Sequence, residues 1–93
     1  MARVSNYKEL RQIAIEWIAC GERGKRWAAR HAPEQRLNVE ALKYDRVHYG
    51  KVPSWCDVDE YERSVQLLES IAMAYALGTD PLEPIRRRDR ATA

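Results

Sequence analysis

The stretch from Val58 to Tyr75 constrains the fold most. Val58, Tyr61, Val65, Leu68, Ala72 and Tyr75 recur at alternating steps of three and four, the spacing that stacks side chains on one face of an α-helix. Between them stand Asp59, Glu60, Glu62, Arg63, Gln66, Glu69 and Ser70, which belong in water. The spacing predicts a helix over 57–77 that acts as the central rod of a helical protein. Asp57 with Glu60 makes a capping box, and Asp59, Glu60 and Glu62 suit the positive end of the helix dipole. Gly78 and then Asp80-Pro81 stop the helix.

The remaining segments read less evenly. Asn6 with Glu9 opens a first helix, and Tyr7, Leu10, Ile13, Ala14, Trp17 and Ile18 share its broad face. Two continuations are open. Gly21 can end this helix in a left-handed conformation, leaving a short helix over 25–31. Alternatively one helix runs from Tyr7 to His31, with Gly21, Gly24 and Ala28 letting a neighbour approach closely, at roughly 1 kcal/mol per interior glycine. In both, Pro33 ends the segment and opens the next helix, 33–49, with Gly50 at its C-terminus. There Leu37, Ala41, Tyr44 and His48 form one stripe while Val39, Leu42 and Tyr49 lie off it. Such a face means burial on two sides or fraying of the first turns.

The expected fold is therefore all-α: a small three- to four-helix bundle with main helices over 6–20, 33–49 and 57–77 and a short one near 25–31. The expected core is Leu10, Ile13, Trp17, Leu42, Val65, Leu68, Ala72 and Tyr75. Residues 1–78 form the helical domain. Residues 79–93, with Pro81, Pro84 and an arginine run but no packing pattern, are expected as a mobile basic tail.

Composition removes several function classes. Ninety-three residues make one domain that buries about 60–65% of its unfolded surface, with little room for a deep, dry active site. Phe is absent, so three Trp and five Tyr supply the aromatic bulk. Their polar tips suit the core boundary or an interface. No apolar run reaches membrane-span length, and the N-terminus lacks a signal peptide's apolar core. With only Cys20 and Cys56, the expectation is a cytoplasmic protein with reduced thiols and no membrane contact. Cys20, His31, His48 and Cys56 lack the short spacing of a zinc site, so no metal and no cofactor is expected. His31 and His48 are candidate bases, and Cys56 beside Asp57 is a candidate activated thiol. No nucleophile motif, phosphate loop or metal triad joins them, and the reading is non-enzymatic.

Charge points to partners. Residues 21–51 hold eight Lys/Arg against four acids, 52–85 one against seven, and 86–93 four against one. Arg23, Lys25, Arg26 and Arg30 surround Trp27, a mixture that suits a protein hot spot or, with the indole as a stacking surface, a nucleic-acid backbone. Arg86, Arg87, Arg88 and Arg90 match phosphate by their planar forks. Trp55, behind Pro53, is a candidate anchor or a packed staple. A helix-turn-helix is rejected, because neither Gly21 nor Gly24 has a small residue one turn before and a buried aliphatic residue after it.

The runs Pro53-Ser-Trp-Cys-Asp-Val-Asp and Tyr75-Ala-Leu-Gly are similar to phage antiterminator proteins of the Q type. The likeness is confined to these runs and carries no residue role. The expected function is a small non-enzymatic regulatory binder, phage- or bacterium-encoded, that occupies a protein of a host nucleic-acid machine. Its partner-binding residues are Arg23, Lys25, Arg26, Trp27, Arg30 and Trp55, and its acidic third helix is available to imitate phosphate. The alternative is direct DNA or RNA binding through Arg86, Arg87, Arg88, Arg90 and the Arg23–Arg30 segment. A third is a homodimer in which the Val58–Tyr75 stripe pairs across a two-fold axis.

Overall fold

Capping chemistry places the ends of the helices. In the computed structural model, which describes residues 6–54 and 56–92, Asn6 Oδ1 accepts the Glu9 N–H at 3.2 Å and starts α1 (Tyr7–Ile18). Asp57 Oδ1 accepts the N–H groups of Asp59 and Glu60, each at 3.1 Å, and starts α3 (Val58–Leu77). Gly50 and Gly78 close α2 (Glu22–Tyr49) and α3 in the left-handed conformation. A fourth helix, α4 (Glu83–Thr92), follows.

Helix α1 breaks near Gly21, the first of the two continuations. Gly21 takes φ 66° and ψ −122°, a conformation that a Cβ would strain. Beyond it the structure departs from the expectation. The short helix at 25–31 and the helix at 33–49 are one continuous rod, and Pro33 lies inside it. Proline removes a hydrogen bond to the carbonyl four residues back and crowds it. Here that carbonyl belongs to Ala29, and both Ala29 and Pro33 are exposed, so water can reach the orphaned oxygen. On the opposite side Gly24, Ala28, His31, Ala32, Gln35, Val39 and Leu42 are all buried. A break at Pro33 would put the two halves of that buried stripe out of phase, and its burial outweighs proline's penalty.

The rod α3 packs against α1, α2 and α4. One core cluster joins Leu10 and Ala14 of α1, Ala28 and Ala32 of α2, Leu67, Leu68 and Ile71 of α3, and Ile85 of α4. A second joins Val39, Leu42, Cys56, Val58, Tyr61 and Val65, with the buried Tyr61 hydroxyl donating to Gln35 Oε1. Of the expected core, Leu10, Leu42, Val65 and Leu68 are buried, whereas Ile13, Trp17, Ala72 and Tyr75 are only half-buried. Being surrounded, α3 buries a second line, Ser64, Leu67, Ile71 and Ala74, beside the expected stripe. Because much of that stripe is buried inside one copy, it is not open to pair across a two-fold axis.

The segment expected as a mobile tail is ordered up to Thr92. Asp80 accepts the Leu82 N–H at 3.0 Å, Pro84 sits in the first turn of α4 where its missing N–H has no helical partner to lose, and Ile85 is 3% exposed. Arg11 of α1 binds Asp89 of α4 through two hydrogen bonds. Among the described residues no helix is long and apolar enough to cross a membrane.

Candidate functional site

The turn at Gly21 folds α2 back along α1 and sets Trp27 against Trp17. The two indoles stack with centroids 5.8 Å apart and planes within 3°. The Arg23 guanidinium lies 5.8 Å from the Trp17 centroid, within cation–π range. His31 tilts against Trp27 at 5.7 Å. Trp17, Arg23, Arg26, Trp27, Arg30 and His31 together line a cavity of about 380 Å³. The α2 members are spaced by three and four, so one helix face presents them all. Lys25 is exposed but is not part of this lining. Trp55 lies outside the described residues.

A close helix approach at Gly24 and the burial of His31 shape the cleft. Gly24 is buried, and a Cβ there would overlap the Trp17 carbonyl oxygen and stand 2.8 Å from its carbon. Only glycine lets α2 pass so close to the end of α1. His31 is 8% exposed. Burial pushes its pKa down, partly offset by Glu34, whose carboxylate is 3.8 Å from Nδ1, while Arg30 adds to the depression.

Ion pairing divides the cations of α2 into two groups. Along the antiparallel α2–α3 seam, Arg36 binds Glu69 at 3.0 Å, Lys43 binds Glu62 at 3.0 Å and Arg46 binds Asp59 at 3.0 Å. The hydrogen bond from Lys43 holds the Glu62 carboxyl below its ordinary pKa, helped by Arg36. The acidic face of α3, expected to imitate phosphate, is thus largely neutralised from within. In α4, Arg86 pairs with Asp80, and Arg90 pairs with Glu83 at 2.7 Å. Arg87 and Arg88 enter no ion pair among the described residues, and so the expected cluster of four is halved. By the same measure Arg23, Lys25, Arg26 and Arg30 are all unpaired among the described residues.

The other candidates do not converge. His48 lies tilted against Tyr44, ring centroids 3.9 Å apart, near the C-terminal end of α2. Cys56 is buried and Cys20 exposed, and the Asp57 carboxylate is committed to capping. Among the described residues no three His, Cys, Asp or Glu side chains are placed to hold a metal ion.

Trp17 and His31 are members of the cleft that the sequence reading did not place there. Trp17 stands four residues before Gly21 and Trp27 six after it, a proximity that becomes informative only once the chain is known to fold back. Comparison with protein families, with characterised proteins and with solved structures finds no significant match to the chain.

Proposed function

We propose that the chain is a small non-enzymatic regulatory binding protein that grips an acidic surface of a protein partner with the Trp17–His31 cleft. One observation carries this reading. The cations along the α2–α3 seam and half of those in α4 are neutralised internally, while Arg23, Arg26 and Arg30 keep their charge beside a stacked indole pair. Trp and Arg dominate interface energetics because they combine large contact area with charge that is weakly hydrated. A partner drawn from a host nucleic-acid machine, a phage or bacterial origin and a cytoplasmic setting belong to the same proposal.

Direct nucleic-acid binding is the second reading, favoured by the unpaired Arg87 and Arg88 together with the cleft. It ranks lower because Arg23, Arg26 and Arg30 converge on one cavity beside the indole pair, whereas a polyanion needs an extended track of cations. Affinity capture from host lysate tests both, comparing the native chain with Arg26→Glu/Arg30→Glu, alongside a gel shift at low salt. The expected result is one protein retained by the native chain and lost by the variant, with no retardation of DNA or RNA. Retardation that the variant abolishes, or capture that the variant leaves intact, overturns the proposal.

A further inference from the structure

His31 stands in the wall of the Trp17–Trp27 cleft with its hydrogen-bonding capacity unspent. It is buried and lines the cavity. Its polar contact among the described residues is a Glu34 carboxylate oxygen 3.8 Å from Nδ1, beyond hydrogen-bond reach. A buried polar group is ordinarily hydrogen-bonded, so the ring has room for an acceptor that enters the cavity. Arg23, Arg26 and Arg30 line the same cavity and enter no ion pair among the described residues. The charged groups acting on the ring are Glu34, which favours its protonated form, and Arg30, which with burial opposes it. Both belong to α2. From α1 the cavity receives Trp17, and no charged group of α1, α3 or α4 acts on the ring among the described residues.

We propose that an acidic peptide segment of the partner protein occupies the cleft, and that His31 takes up a proton as one of its carboxylates arrives. This rests on the cleft being the partner-binding site. Spacing favours a row of carboxylates over a single anion. The three arginines follow one another at about 4.5 and 6 Å along the helix axis, at 1.5 Å per residue. Side chains on one side of an extended segment recur about every 6.5 Å, so acidic residues two apart keep pace with the arginines. One phosphate meets only part of that row. Each guanidinium fork matches a carboxylate.

The proton link follows from the same arrangement. In the empty cleft burial and Arg30 keep the imidazole neutral. A carboxylate within about 4–6 Å reverses that balance, because an opposite charge favours the charged form. The proton comes from solvent and the carboxylate stays ionised, so each complex gains one proton. Affinity is therefore lowest at high pH and rises as the pH falls toward the value at which the empty ring titrates, which lies below 6.5.

Tryptophan fluorescence of the full chain, titrated at low salt with a hexa-aspartate peptide at pH 7.5 and 5.5, is the test. The peptide's carboxyls titrate at about 3.9 and stay ionised at both values. One linked proton changes affinity by at most about tenfold per pH unit, and the native chain should bind at least about threefold tighter at pH 5.5. His31→Gln should bind with one affinity at both, whereas His48→Gln, about 25 Å further along α2, should keep the dependence. Proton NMR of the native chain gives a readout that needs no variant: with peptide bound, the His31 ring should titrate at higher pH than without it. No binding of the peptide, equal affinity at the two pH values, or a dependence that His31→Gln keeps or His48→Gln loses overturns the proposal. So does tighter binding of inorganic phosphate or of an oligothymidylate than of the peptide. Those failures leave the cleft as the partner site so long as Arg26→Glu/Arg30→Glu loses the protein captured from lysate; capture that survives this variant ends both.

Discussion

Replacing Gly24 by alanine reverses the sign that helix propensity gives. In an exposed helix interior the change stabilises by about 1 kcal/mol. At position 24 the new methyl would overlap the Trp17 carbonyl oxygen, stand 2.8 Å from its carbon and 3.1 Å from the Tyr75 hydroxyl. Two of these atoms are backbone, so no side-chain rotation relieves them. Ordinary contact begins at 3.4 Å, and reaching it means moving the end of α1 away from α2. That motion unstacks Trp17 from Trp27 and loosens Leu10 and Ala14, which α1 contributes to the first core cluster. Overpacking of this kind costs about 1–3 kcal/mol, occasionally more. At about 4–8 °C per kcal/mol for a domain of this size, the melting temperature should fall by roughly 4–24 °C. Thermal and urea unfolding measure the loss, and near-ultraviolet circular dichroism reports the indole pair. A variant as stable as the native chain, with its tryptophan signal intact, would refute the close approach on which the cleft depends.

Three further outcomes follow from buried groups. Because folding depresses the His31 pKa below its unfolded value of 6.5, the unfolded state takes up the proton first. Stability is then full above pH 6.5 and falls as the pH drops through that value toward the folded pKa. His31→Gln should lack this loss, measured as the difference in melting temperature between pH 7.5 and 5.5, while the Glu62 contribution declines only below its unfolded 4.5; an equal loss in both proteins contradicts the assignment. Ile85→Ala should cost about 2–5 kcal/mol by urea unfolding, because the side chain is 3% exposed, and a change near zero would mean that α4 contributes no core. Tyr75→Phe should leave stability unchanged or raise it by about 1 kcal/mol, since the Tyr75 hydroxyl is buried with no hydrogen-bond partner among the described residues and an unmade bond is a penalty that phenylalanine avoids; a loss above about 1 kcal/mol, read from the same curves, would show a partner for that hydroxyl.

What the sequence discloses and what it hides divide along a physical line. Helix ends are local events, decided by a side chain and the backbone within one turn of it, so Asn6, Asp57, Gly50 and Gly78 are readable by inspection. Pro33 misleads because its penalty is local and its compensation is not. The stripe from Gly24 to Leu42 gains by staying in phase only when α1 and α3 are there to bury it, and neither is visible from α2's own text. The α4 segment misleads for the opposite reason. Leu82 and Ile85 are too few to make a period, yet Asp80 over Leu82 and Pro84 in a first turn are start signals that the arginine run obscures.

The cleft joins the two cases. Trp27 and its arginines are legible as a mixture, but Trp17 reads as core because its stripe is apolar. Only the reversal at Gly21, followed by the close pass at Gly24, converts a core tryptophan into one wall of a charged cavity. The cations left over from internal pairing cannot be found from composition either. Net charge is +2; the sequence shows a basic middle segment, but which of its cations stay unpaired is visible only when Glu62, Glu69 and Asp59 are seen to answer Lys43, Arg36 and Arg46 across the seam. Glu69→Gln would still leave Arg36 with Glu40 at 2.9 Å and Glu62 at 3.6 Å, so Arg36 should stay out of the pool of charge formed by Arg26 and Arg30. Partly exposed pairs of this kind are worth about 0.2–1 kcal/mol each, so their role here is to decide which cations remain available to a partner more than to hold the helices together.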